Sequence, residues 1–128
     1  MKINKFFVIS LASLISIIVS TASFACENVE DAVMIIRLNN DNIQFENFLS
    51  KVTNRALDLK PDVKFTVCAV IKTVGEPETD SNLRNEGFFQ AQKAVNLLNK
   101  FGIERANIYT SYVNDNEIDF TEIRIFAD

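Results

Sequence analysis

Apolar residues recur along the chain with two different periods, and the switches between them divide it into elements. Residues 33–38 form a short run rich in β-branched side chains, the first predicted strand, and the Asn-Asn-Asp-Asn tract at 39–42 breaks it. Asp41, with Gln44 three residues on, has the spacing of a capping box. A helix is predicted from there to about Leu59. Phe45, Phe48, Leu49, Val52, Ala56 and Leu59 share its apolar face, and Glu46, Lys51, Arg55 and Asp58 occupy the others. Pro61 cannot continue the helix. From Val63 the period falls to two: Val63, Phe65, Val67, Ala69 and Ile71 alternate with Lys64, Thr66, Cys68, Val70 and Lys72, a strand with one strongly apolar face. The polar segment at 76–81, Glu-Pro-Glu-Thr-Asp-Ser, reads as a loop.

The period then returns to that of a helix. Phe88, Ala91, Val95 and Leu98 make its core stripe, with Ala94 and Leu97 beside it, and Gly102 followed by Ile103 stops it. A third strand is predicted at 108–113, a turn at 114–117 and a fourth strand at 118–126, the last two joined as a hairpin. The order is β-α-β-α-β-β. Strand–helix–strand crossovers of one hand lay both helices on the same side of the sheet. The predicted fold is therefore a two-layer α/β (α+β) sandwich, with a mixed four-stranded sheet and two helices on one face.

Residues 1–25 stand outside that pattern. Lys2 and Lys5 precede an uncharged, mostly apolar run at 6–20, and Ser23-Phe24-Ala25 supplies small residues where a signal peptidase reads. The run is short for a membrane span, which needs about 20 apolar residues. A cleaved secretion signal at 1–25 and a single domain at 26–128 are the expectation, with the periplasm as its compartment. The cut falls directly before Cys26. Bacterial lipoproteins carry their lipid on a cysteine in that place, after a sequence resembling Leu-Ala-Gly; here Ala25 fits and Ser23 and Phe24 do not. The other cysteine is Cys68. Two cysteines in an exported chain suggest one disulfide, tying Cys26 to the central strand; the alternative is that Cys68 is simply a small buried strand residue. A lipid thioether and a disulfide exclude each other, because each consumes the Cys26 thiol. Membrane association, as an outer-membrane lipoprotein, is expected only if Cys26 is lipidated.

Charge narrows the partners. Two of the 13 lysines and arginines fall in the leader, so beyond residue 25 eleven remain against 17 acidic residues, a net charge of −6. That argues against nucleic acid and against anionic lipid surfaces. Histidine is absent, which removes the commonest general base and the commonest zinc ligand. Two acidic clusters remain: Glu76, Glu78 and Asp80, and Asp115, Glu117 and Asp119. Paired carboxylates can do acid–base work or bind calcium. A solvated loop and a turn explain them more economically. No nucleophile–base pair, phosphate loop or CxxC is present, so no catalytic residue, metal site or cofactor is expected.

The stretch from Pro61 to Gly75 overlays without a gap on the pattern P-x-x-x-(I/V)-x-V-x-G-H-T-D-x-x-G, matching at Pro61, Val67 and Gly75. Counting back from Gly102-Ile103 along N-x-x-L-S-x-x-R-A-x-x-V-x-x-x-L-x-x-x-G-I puts Ala91, Ala94 and Leu98 on A, V and L, and the closing Ile123-Arg124-Ile125 is similar to R-V-E-I. Over residues 33–126 the chain thus resembles the OmpA-like C-terminal domain, a family that binds peptidoglycan in the periplasm of Gram-negative bacteria. In that family the Asp of G-H-T-D and the Arg of the helix hold the charged end of the peptide stem as charge-assisted pairs. The Asp position here is Lys72, which repels an ammonium, and the Arg position is Gln90. The resemblance therefore implies the scaffold without its usual ligand pair. The expected role is a non-catalytic, structural or protein-binding part of a cell-envelope assembly, of which secretion-system core complexes are one setting. The same residues allow two other roles: a peptidoglycan binder that receives the ammonium on Glu76, Glu78 and Asp80, and a metal protein or enzyme built on the acidic clusters.

Overall fold

In the computed structural model residues 26, 28–39 and 43–128 are described; the leader at 1–25 and the Asp41 capping box lie outside the described residues. The sheet is built around β2 (Phe65–Lys72), whose residues Val67, Cys68, Ala69, Val70 and Ile71 are all buried. Burial on both faces requires a neighbour on each side and a layer above and below. On one side β2 pairs in parallel with β3 (Ile108–Asp115); on the other it pairs antiparallel with β4 (Glu122–Ala127). β4 pairs antiparallel with β1 (Met34–Arg37), so the order is β1-β4-β2-β3. The mixed four-stranded sheet and the two-layer α+β class are as the sequence predicts.

The hairpin between the last two strands does not form. β4 inserts between β1 and β2, and β3 lies beyond β2 at the edge. The chain must therefore cross the end of β2 between β3 and β4. A two-residue turn cannot span a strand, since neighbouring strands lie about 4.8 Å apart. Residues 116–121 make the crossing instead, while Asn114 and Asp115 complete β3 and β4 begins only at Glu122.

The two helices are α1 (Glu46–Leu59) and α2 (Pro77–Lys100). They pack on the face of β2 that carries Phe65, Val67, Ala69 and Ile71, where Leu49, Ala56, Ala91, Ala94, Leu98, Ile123 and Ile125 join one core. The predicted stripe of α2 is buried except for Phe88. In α1 the stripe is narrower than predicted: Leu49 and Ala56 are buried, but Phe48 and Leu59 are 60% and 70% exposed. Both lie about 80–100° around the helix from Leu49, beyond the arc that one sheet can cover. Thr53 takes their place in the core because its hydroxyl donates to the Leu49 carbonyl one turn back (2.7 Å), so no polar group is left bare.

α2 begins at Pro77, so the segment read as a loop at 76–81 is the first turn of a helix. Proline pre-sets the backbone at the first helical position, and Glu78 and Asp80 sit where the helix dipole favours anions. At the other end Gly102 takes φ 113°, and its N–H and that of Ile103 donate to the carbonyls of Asn99 and Leu98 (3.2 and 3.0 Å). This is the predicted glycine stop, closed by buried Ile103.

The other face of the sheet is covered in part by the chain before β1. Cys26 is bonded to Cys68 of β2, across a sequence separation of 42. Around that bridge Val70 and Phe126 form a small second core with Ala32, Val113 and Ile118 against it. Beside it lies a buried ion pair. Arg124 donates through Nε to Glu122 Oε1 (3.0 Å) and through Nη1 to the Cys26 carbonyl (2.6 Å), and the second oxygen of Glu122 accepts from Arg37 (3.0 Å). The charged residues of β4, Glu122 and Arg124, are thus buried beneath the N-terminal strap.

Candidate functional site at the end of β2

The corner to which the sequence points is where β2 ends, the chain turns into α2, and the 116–121 segment crosses. Lys72, Thr73, Val74, Gly75, Asp80 and Asn116 line an open depression of about 620 Å³ there. Its two charged groups, Lys72 and Asp80, already have internal partners. Lys72 donates its backbone N–H to the hydroxyl of buried Thr121 (3.0 Å) and its ammonium to the Asp119 carbonyl (2.9 Å). It clamps the crossing segment to the strand it crosses. A carboxylate at 72 could not donate to that carbonyl.

Asp80 turns back from the first turn of α2. Its two oxygens accept from the N–H groups of Val74 (2.7 Å) and Gly75 (3.1 Å), which the turn leaves without a strand partner. Gly75 has φ 85°, a conformation most side chains resist, so the turn needs glycine at this point. Glu76 accepts from the Thr79 hydroxyl, and Glu78 is exposed. The three acids therefore do not form a common receptor: one holds the turn, one holds the helix start, and one faces solvent. Among the described residues no group of three or more Cys, Asp or Glu is placed to share a cation. In the second cluster, Asp115 accepts from the backbone N–H of Glu117 (2.8 Å), an ordinary local turn contact.

Gln90 lies on the flank of α2 that also carries Lys93 and Leu97, one and two turns on. The Lys93 ammonium sits 5.1 Å over the ring of Phe45, just before α1. The Gln90 Oε1 is buried without a hydrogen-bond partner. A second open depression of about 650 Å³, lined among others by Phe45, Phe48, Lys51 and Lys93, lies on this helical side.

Four residues that hold the corner and the strap were not singled out from the sequence. Thr121 was placed inside a strand, and only the crossing reveals it as an acceptor. Gly87 is buried where α2 approaches β2 most closely: a Cβ there would lie 3.0 Å from Ile71 Cγ1. A glycine inside a helical pattern was the signal for that contact. Arg124 and Glu122 gave no signal beyond alternation.

No protein-family model matches the chain, and no curated protein matches it.

Proposed function

We propose that residues 26–128 act as a non-catalytic module of OmpA-like architecture, exported to an oxidising compartment, with a structural or protein-binding role in a cell-envelope assembly. The observation that carries this reading is the occupied corner at the end of β2. Lys72 is committed to the Asp119 carbonyl and Asp80 to the turn amides, so neither stands free for the charged end of a peptide stem. The Cys26–Cys68 bridge supports export, since such bonds persist where the surroundings are oxidising. It also favours the unlipidated form, because the thiol that a lipid thioether needs is spent.

The experiment is a sedimentation assay of the exported chain with purified cell-wall sacculi, together with fractionation of the producing cells. The chain is expected in the periplasmic fraction and unbound to sacculi. Saturable binding that Glu76→Ala and Glu78→Ala together abolish, with Asp80 retained to hold the turn, would instead establish the peptidoglycan-binding role.

A further inference from the structure

Cys68 and Arg124 stand directly opposite each other on β2 and β4. The helix-side face of these strands carries Val67, Ala69, Ile123 and Ile125, so Cys68 and Arg124 both point to the face that the N-terminal strap covers. Side chains opposite each other on one face of an antiparallel pair lie about 5 Å apart at Cβ. A group held by the Arg124 guanidinium is therefore held beside the Cys68 sulfur. That group is the carbonyl of Cys26, which accepts from Arg124 Nη1 at 2.6 Å.

The guanidinium is fixed without help from the strap. Its Nε donates to Glu122 Oε1, two residues back on the same face, and its Nη2 lies 3.0 Å from the same oxygen. The second oxygen of Glu122 accepts from Arg37 of β1. The strap in turn is shaped by bonds that owe nothing to the sulfurs. The Val33 N–H donates to the carbonyl of Ile125, next to Arg124 (2.8 Å). The turn at Val29–Asp31 is closed by the N–H groups of Asp31 and Ala32, which donate to the carbonyls of Asn28 and Val29, and Asn28 Nδ2 donates to Asp31 Oδ2 across it. Val33 follows Cys26 by only seven residues, so with Val33 anchored the thiols close a far shorter loop than the 42 residues that separate them in the open chain.

We propose that Arg124 is a positioning residue for closure of the Cys26–Cys68 bridge: it docks the reduced strap on the finished sheet, and the covalent bond forms last, between thiols already side by side. With glutathione disulfide as oxidant, the thiolate of one cysteine attacks it, forms a mixed disulfide and releases one glutathione thiolate. The thiolate of the other cysteine then attacks the protein sulfur of that mixed disulfide and displaces the second glutathione. Two protein thiols are oxidised, one glutathione disulfide is reduced to two glutathione thiols, and the two thiol protons pass to them. The second step is intramolecular, and docking raises the effective concentration of one thiol at the other. The bridge thus locks a strap that is already in place. This order of events is independent of the assembly proposed above.

The test compares the purified parent chain with Glu122→Leu/Arg124→Met, which removes the anchor without leaving a buried carboxylate unpaired. Both are reduced under folding conditions, checked for their fold by circular dichroism, and equilibrated with mixtures of oxidised and reduced glutathione, with the same titration in concentrated urea as reference. The effective concentration of the two thiols in the folded parent should exceed that in the double variant about ten- to hundredfold, the worth of one hydrogen bond from a charged donor. In urea the two chains should agree. A general loss of stability does not give this pattern, because it acts alike on the dithiol and the bridged forms. In the reduced, folded parent both thiols should also react with iodoacetamide about tenfold more slowly than in urea, because the docked strap covers them, and the double variant should lose that protection. Should the double variant not fold, Arg124→Lys takes its place: one ammonium keeps the Glu122 charge paired but lacks the fork that reaches both Glu122 and the Cys26 carbonyl, and the same loss of effective concentration is expected. Equal effective concentrations in the folded parent and variant, or thiols as reactive in the reduced, folded parent as in urea, would overturn the proposal.

Discussion

Replacing both cysteines by alanine tests how firmly the N-terminal strap is held. The bridge closes a sequence separation of 42 residues. In the chain-entropy treatment it lowers the entropy of the unfolded chain by about 13 cal/mol/K, or about 4 kcal/mol at 25 °C. That is a large share of the ~5–15 kcal/mol that holds an ordinary domain folded. The bond from Arg124 to the Cys26 carbonyl belongs to the main chain and survives the substitution. Val70 and Phe126 keep an apolar neighbour in alanine, which is why serine is the poorer choice. Urea unfolding followed by far-ultraviolet circular dichroism is the assay, with intact mass showing two hydrogens fewer in the oxidised protein. At a slope of roughly 1–2 kcal/mol/M, the midpoint of Cys26→Ala/Cys68→Ala should fall by about 2–4 M. The melting temperature should drop by roughly 15–30 °C. A loss below about 1 kcal/mol, or no response of the parent chain to reductant, would refute the view that the bridge stabilises the fold by closing this loop.

Arg124→Met leaves Glu122 under the strap without its buried partner and should cost about 3–5 kcal/mol, whereas Glu122→Leu with Arg124→Met should recover much of that loss; thermal melts of the two variants decide. Lys72→Met removes the clamp on the crossing segment and should speed amide exchange at residues 116–121 while costing about 1–2 kcal/mol. Asp80→Ala exposes two turn amides and should cost about 1 kcal/mol in urea unfolding without creating or removing sacculus binding. Gly87→Val drives methyl groups into Ile71 and Thr121, and should destabilise the domain by about 1–3 kcal/mol in thermal melts.

The elements were legible because each carries its own period. The alternation of 63–72 and the glycine stop at 102 needed no partner to be read, and both stand where the sequence predicts them. The start of α2 was legible too, in Pro77 followed by two acids, but the polarity of that turn made it read as a loop. The site was less legible for a physical reason. Whether Asp80, Glu76 and Glu78 form a receptor or three separate local contacts depends on where each carboxylate points, and the sequence spacing allows both.

By itself the sequence determined the class of fold, the two helical stripes, the central strand, the acidic character beyond residue 25 and the absence of histidine chemistry. Periods and composition are local properties, and they survive any arrangement of the elements. Only the tertiary structure decided that β4 enters between β1 and β2, because strand order is set by which apolar faces can be buried together, and no local period encodes that. That one insertion forces the crossing at 116–121. The crossing in turn gives Lys72 its partner and leaves β3 as the open edge.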